Sequence, residues 1–572
     1  MLILVAIILL VFIPLVMLGL NLARPRFNAQ GFIAVLAALS TWILVFVARP
    51  GTPQVIALLQ WKPVSLFSLS PALLIDQNSW FFALTLTSLA ICVVVTSIAQ
   101  LGQSLVTNHA PSINLNVEPG MEDEKISSDH PLTIPEELMK PVWSIWAAIL
   151  VTTCLGLLAV TAGNLLTFLL AWTALDLFEL TVLLSQLMQS KLRERVIVAF
   201  SAKMAGTSLI VVSGILLWSN GASLSFGDLS PVVNTLLLFA AGLRLGVLPL
   251  HLPFARALPI DRNLSTISNL APAAASYLLL FRISGTGVND AAIPYLLFFS
   301  ILAGVYAAIN WLRAKNEVEA RPYWLLATSS MVVSSAILQL PAACLAWSIT
   351  GILSGGLIFS ISARHKNLAP LVFIGLLFFS ALPFTPTWRT SDLFQFSPSL
   401  GMPVTIFSFF SLLFLLIQVL LIAGFANYIL RGVFLSDEHP QVQVERWVWF
   451  IYPVGLLCIL ATHWLIGWLI KSNIHEVALS GWLLGPVVCI IAGLVMVLRF
   501  RYVQAPHPVL DQEIRSAWDH FFSLTWVYRF LWRIFHSLSR LSALISAILE
   551  GDGGLLWALV LFSLIFVFLQ RR

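Results

Sequence analysis

Long apolar runs, repeated many times over, constrain this chain more than any other feature. A helix crossing about 30 Å of hydrocarbon needs roughly 20 apolar residues. The sequence offers sixteen such runs, at 2–21, 31–49, 79–101, 142–161, 163–186, 196–218, 232–256, 265–284, 290–312, 322–340, 342–362, 368–385, 402–431, 446–470, 478–500 and 553–570. The fold class that follows is an all-α polytopic membrane protein with about sixteen transmembrane helices. Composition agrees: of 572 residues, 59% are hydrophobic and only 10% charged. A soluble protein carries about a quarter charged residues, so a water-soluble enzyme is excluded. The net charge of +5 is spread between apolar runs and implies no nucleic-acid partner.

Cys92, Cys154, Cys344, Cys458 and Cys489 all fall inside apolar stretches, with no second Cys or His at ligand spacing. Disulfide, zinc and iron–sulfur readings therefore fail. No GxGxxG follows a strand, so the chain is expected to hold no cofactor of its own. The first run lacks a charged leader and a cleavage site, and reads as a retained span.

Basic residues in short loops set the orientation. With the amino terminus outside, inward loops hold Arg24, Arg26, Lys191, Arg193, Arg195, Arg256, Arg262, Arg313, Lys315, Arg321, Arg364, Lys366, Arg431, Arg446, Arg499 and Arg501. Outward loops hold Arg49, Lys62, Arg389, Lys471 and Arg571–Arg572. Sixteen spans return the carboxyl terminus to the outside. The expected location is a bacterial-type inner (plasma) membrane with both termini on the outer side.

Two segments interrupt the pattern. Residues 102–141 are polar and acidic, from Glu118 to Glu137, and read as a solvated inward loop. Over 508–548, Trp518, Phe522, Trp526, Phe530 and Phe535 alternate with Arg515, Arg529, Arg533 and Arg540. That strip reads as a lateral amphipathic helix lying on the membrane surface, rings inward and guanidinium groups toward phosphates.

Several stretches carry a resemblance. NLLTFLLAWTALDLFELTVLL (164–184) resembles the fifth span of the antiporter-like membrane subunits of NADH–quinone oxidoreductase (complex I) and of multisubunit cation/proton antiporters. AFSAKMAGTSLIVVSGILLW (199–218) is similar to the sixth span, GLRLGVLPLHLPFARALP (242–259) to the broken seventh, SNLAPAAASYLLLFRI (268–283) to the eighth and SALPFTPTWRTSDLF (380–394) to the twelfth. The surface helix followed by one last span resembles the end of the largest of these subunits. The resemblance implies two inverted five-helix repeats, at 142–284 and 290–431, with a discontinuous helix in each. Around them it implies three amino-terminal spans (1–101), two further spans (446–500), and a last span within 553–572.

The same resemblance singles out charged positions. The family places a Glu after the Trp of the fifth span, where this chain has Thr173; Asp176 and Glu179 follow one and two turns on. Each shares a face with the residue three before it. A shifted carboxylate can still meet a base across a helix interface; alternatively both acids lie solvated near the inner end of the span. Lys203 resembles the basic partner of that Glu, or is a lysine reaching the inner headgroups. Arg244 stands where relatives have a proton-relaying lysine. A guanidinium keeps its charge throughout, so it anchors a carboxylate but does not relay a proton. His251 titrates near neutrality in water, although a lone histidine beside Pro249 and Pro253 is more often a hydrogen-bonded structural residue. The eighth span reads Pro272-Ala273-Ala274-Ala275 and the eleventh Ser354-Gly355-Gly356, where relatives carry titratable groups. The twelfth-span lysine maps near Ser391, beside Arg389 and Asp392.

The function implied is a membrane-arm subunit of a redox-linked, proton-translocating complex. Its partners would be other membrane subunits, redox subunits carrying iron–sulfur clusters and flavin, and the lipid bilayer. Two alternatives stand beside it: a subunit of a cation/proton antiporter or inorganic-carbon uptake system, and a non-conducting scaffold that keeps the fold. None of the three puts a catalytic site in this chain.

Overall fold

A computed structural model of the chain describes residues 1–23, 30–58, 70–104, 143–187, 190–251, 261–314, 317–360, 368–394, 404–434, 446–470 and 479–502; beyond these it describes 533, 536–537, 539–540 and 559–564. In the first compact unit, Met1–Gln504, fifteen α-helices among the described residues fall on the first fifteen expected spans. They are α1 (Leu2–Ala23), α2 (Gln30–Val47), α3 (Gln77–Ser104), α4 (Trp143–Val160), α5 (Leu165–Gln186), α6 (Ser190–Ser219), α7 (Pro231–Leu245), α8 (Arg262–Ser284), α9 (Ile293–Arg313), α10 (Glu317–Ile337), α11 (Pro341–Ser360), α12 (Ala369–Phe379), α13 (Val404–Phe434), α14 (Arg446–Ile470) and α15 (Leu479–Tyr502). Twelve of them are long and apolar enough to cross a bilayer unaided. Of the others, α7 and α12 are short apolar helices, and α10 opens with Glu317, Glu319 and Arg321. The chain is an integral, multi-pass membrane protein.

Burial sorts the helices. α3, α8 and α11 pack on one another and are almost wholly buried, flanked by α4, α10 and α14. The outer helices present bulky apolar side chains outward: Phe12, Phe32, Ile215, Trp218, Phe298, Phe409, Phe450 and Ile490 are all exposed. Such a surface suits lipid, and a soluble monomer does not carry it. Inside, hydroxyls satisfy themselves against the preceding turn, as when Thr85 donates to the Phe81 carbonyl, Thr152 to Ala148 and Thr328 to Trp324. A few hydroxyls cross between helices, among them Ser88 to Thr462 at 2.8 Å and Tyr277 to Ser329 at 2.9 Å.

Before α3, β1 (Gln54–Ala57) and β2 (Ala72–Ile75) form an antiparallel pair, with Gln54 opposite Ile75.

The helix breaks position the site. α7 stops at Gly246, whose φ of 77° is left-handed; its N–H donates to the Gly242 and Leu243 carbonyls. A glycine at that position closes a helix without steric penalty. The chain then folds back so tightly that a Cβ on Gly242 would sit 2.7 Å from Leu248 Cβ. α12 ends after only 11 residues. There Thr387 Oγ1 donates to the Phe378 carbonyl and accepts from the Ala381 N–H, and a 3₁₀ segment follows at Trp388–Phe394.

The second unit, Ala505–Arg572, is described only in fragments. Ser537 Oγ donates to the Arg533 carbonyl as in a helix, and 559–564 are helical. Most of the expected lateral helix, and nearly all of the acidic loop at 102–141, lie outside the described residues; α3 runs to Ser104, a short way into that loop.

Candidate functional site

α5 is fixed at its start by Asn164, whose side chain accepts from the Thr167 N–H at 2.8 Å. Thr167 Oγ1 in turn accepts from the Ala72 N–H of β2. From that anchor, Trp172, Asp176 and Glu179 fall at i, i+4 and i+7 on one face. Asp176 is eleven residues from Leu165 and ten from Gln186 (176 − 165 and 186 − 176), which is the middle of the helix.

Two bases from two other helices meet this face. Lys203 Nζ of α6 donates to both oxygens of Glu179, at 2.6 and 2.7 Å. Arg244, in the last turn of α7, pairs through Nη2 with Asp176 Oδ1, and its guanidinium lies 3.8 Å over the Trp172 ring. All four charged side chains are between 1% and 7% exposed. The expectation that the acids lie solvated at the inner end of the span is therefore overturned, as is that of a lysine reaching for headgroups. Buried at mid-helix, they pair with one another, and ionised groups persist in a membrane interior where they are so paired.

The two pairs differ in how completely they are satisfied. Both Glu179 oxygens are engaged, whereas Asp176 Oδ2, Arg244 Nε, Arg244 Nη1 and Trp172 Nε1 have no protein partner among the described residues. Buried groups of this kind are ordinarily satisfied by ordered water. Thr173 turns its hydroxyl back to the Leu169 carbonyl at 2.8 Å and meets neither base.

His251 lies in the turn after α7. Its N–H donates to the Gly246 carbonyl at 2.9 Å, and Nδ1 lies 2.8 Å from the Pro249 carbonyl, so Nδ1 carries the proton. The residues that follow, 252–260, are outside the description. On α8, Pro272 and Ala273–Ala275 are buried and uncharged.

In the other half, α9 to α13, the buried polar side chains of α10 and α11 are mostly hydroxyls, with one buried guanidinium, that of Arg321. Thr328, Ser329, Ser330, Ser334, Ser335, Ser348, Thr350 and Ser354 are all buried on α10 and α11. Gly355 and Gly356 serve packing, against Trp324 and Leu89. Ser391 donates to its own Trp388 carbonyl, and Arg389 sits 3.7 Å from Asp392.

Three features escaped the sequence. His463 of α14 is buried against Thr350. Arg321, expected in a loop, is buried with its guanidinium 5.3 Å from the centre of the Phe359 ring. Arg282, at the end of α8, grips Asp76 with two hydrogen bonds of 2.7 and 3.0 Å, just before α3. Burial pushes the Asp76 carboxyl up, but the Arg282 charge and hydrogen bonds from Arg282 and Ser79 outweigh it and hold the group below its ordinary value. Among the described residues no three His, Cys, Asp or Glu side chains are grouped to hold a metal ion.

No family model matches the sequence, and no curated protein sequence matches it closely. Solved structures do. A chain of the archaeal membrane-bound sulfane sulfur reductase, a respiratory membrane complex, superposes with a TM-score of 0.62 at 15% identity, over 98% of this chain and 99% of that one. The fold is that of the antiporter-like membrane subunits. A chain of the Mrp complex from Dietzia sp. gives a TM-score of 0.62 at 13% identity, with 95% of this chain matching 62% of that one. Respiratory complex I from Thermus thermophilus gives 0.55 at 14% identity, over 82% of this chain and 99% of that chain. At such identities the antiporter-like fold is shared, and no residue's role comes with it.

Proposed function

We propose that this chain is a proton-translocating membrane subunit of a redox-linked multisubunit complex, with the Glu179–Lys203 pair as its proton-exchanging element. The observation that carries the reading is two acid–base pairs, buried side by side at mid-helix, next to a broken helix. A proton arriving at Glu179 converts carboxylate to acid and leaves Lys203 charged, so the pair steps from neutral to positive. Release of that proton toward the other face completes a transfer. Arg244 is held against Asp176 as a permanent cation. That second pair supplies a fixed field one turn away on the same helix.

Electron transfer would belong to partners carrying flavin and iron–sulfur clusters, with further membrane subunits beside this one. The likeness to chains of two respiratory complexes supports this. On this reading 142–284 and 290–431 are the two inverted repeats; α7 and α12, the two short helices, are each fourth in their set of five. Both termini would face outward across a bacterial-type inner membrane.

The likeness to a chain of the Mrp complex favours a second reading, exchange of a cation for protons without redox chemistry. The lack of a buried carboxylate, lysine or histidine among the described residues of α10 to α12 favours a scaffold that no longer conducts. Purification in mild detergent with mass spectrometry of what accompanies the chain, then reconstitution in liposomes, separates these. Iron–sulfur partners together with flux that Glu179→Gln lowers about tenfold or more fit the first reading. Sodium-dependent flux without redox partners would replace it with the second. No flux at any pH between about 5 and 8 leaves the scaffold.

A further inference from the structure

The half of the protein from α9 to α13 presents a chemical gap. Between residues 320 and 387, the described residues include no buried carboxylate, lysine or histidine. A proton crossing this half needs a group that binds and releases it, and hydroxyls alone do not hold one at neutral pH. One histidine reaches this region from another helix. His463 lies on α14, outside both sets of five helices, and is 3% exposed. Its Nε2 is 3.5 Å from Thr350 Oγ1 on α11, and its ring stands edge-on to Phe378 of α12, with centroids 5.7 Å apart.

The face it meets is polar along its length. Trp347, Thr350 and Ser354 follow one another on α11 at i, i+3 and i+7, one stripe of the helix. Trp347 Nε1 and Ser354 Oγ are buried with no protein partner among the described residues. On the α3 side, the neighbouring Thr462 hydroxyl meets Ser88 at 2.8 Å, and Ser88 accepts from Trp42 Nε1 at 2.8 Å. Among the described residues, Phe378 faces the imidazole from α12 and Thr350 from α11. The imidazole is thus the one group beside this stripe able to take a proton, with the Thr350 hydroxyl next to it to pass one along.

We propose that His463 is the proton-exchanging group of the second half, taking and returning its proton at Nε2 through Thr350 and the polar stripe of α11. The balance is simple: a neutral imidazole accepts one proton at Nε2 and gives one back, with no other bond made or broken. This inference rests on the proton-translocating reading above.

Its test uses the full chain with the subunits that accompany it, reconstituted in liposomes, comparing wild type, Glu179→Gln, His463→Gln and Thr350→Val. The glutamine keeps a hydrogen-bonding side chain without a proton-binding ring nitrogen, so flux should fall about tenfold or more with the melting temperature little changed. Thr350→Val keeps the volume and removes the hydroxyl; it should lower flux severalfold, and it stands in if His463→Gln does not yield a stable protein. Flux that Glu179→Gln abolishes but both second-half variants leave intact overturns the role of His463 alone. Absence of flux in the wild type overturns the translocating reading and this inference with it.

Discussion

Lys203 and Glu179 face each other across the α5–α6 interface with Nζ within 2.7 Å of both carboxylate oxygens, and both side chains are buried. A pair held that way is far more sensitive to losing one member than to losing both. Removal of one partner leaves a buried uncompensated charge, worth about 3–5 kcal/mol, while removal of both is often neutral. Glu179→Gln and Lys203→Met should each lower thermal stability in nanodiscs, and the double variant should recover most of the loss. Simple additivity of the two losses would show that the pair is not coupled.

Arg244 offers a different test, because its charge is permanent whereas a lysine's is not. Arg244→Lys keeps a cation near Asp176 but gives up the planar contact over Trp172. It introduces a base that titrates when buried. Proton flux in liposomes should then rise with pH across the alkaline range in the variant and stay flat in the wild type. Identical profiles would mean that the fixed charge does not limit transfer.

The turn after α7 is tested through its glycines. Gly242→Ala would force a Cβ against Leu248, 2.7 Å away, and should cost about 1–3 kcal/mol as an overpacking change. Gly246→Ala places a side chain at φ 77°, at a cost of about 1 kcal/mol. Melting temperatures of the two variants against Gly493→Ala, where a Cβ meets nothing within 4 Å, provide the comparison.

Asp76 and Arg282 give a pH dependence with a definite sign. The folded carboxyl titrates below its ordinary value of 3.8. The stabilisation is therefore complete above that value and is lost as pH falls through the lower, folded one. Asp76→Asn should melt below the wild type at pH 7, and the two curves should converge under acid conditions. A gap that persists at pH 2 would assign the effect to packing instead.

Much of this was legible in the residues, for physical reasons that also mark where legibility stops. Lipid demands about twenty apolar residues per crossing, so α1 to α15 could be placed before any coordinates. The break after α7 came only through the resemblance of 242–259 to a broken span; the apolar run 232–256 by itself reads as one crossing. The sequence also put Asp176 and Glu179 on one face, but not which base each would meet. That depends on how α6 and α7 are rotated about their own axes, and no local pattern encodes it. Arg321 looked like a loop charge because it stands near a helix start; the end of α11, with the Phe359 ring, covers it. His463 drew no notice because its partner Thr350 lies 113 positions away. The β1–β2 pair was missed because strands of four residues leave almost no periodic trace.

The burial of α3 bears on how the chain is made. Ribosomes deliver it long before its neighbours α8, α11 and α14, which start at residues 262, 341 and 446. A helix with so many hydroxyls must wait in bare lipid, where an unsatisfied polar group costs several kcal/mol. Its threonines are ready for that wait: Thr85, Thr87 and Thr96 each donate to a carbonyl four residues back in the same helix. The hydroxyl of Ser88, which meets Thr462, finds that partner only when α14 arrives. Newly inserted α3 is thus self-sufficient almost everywhere, and one serine records that the last helices have docked.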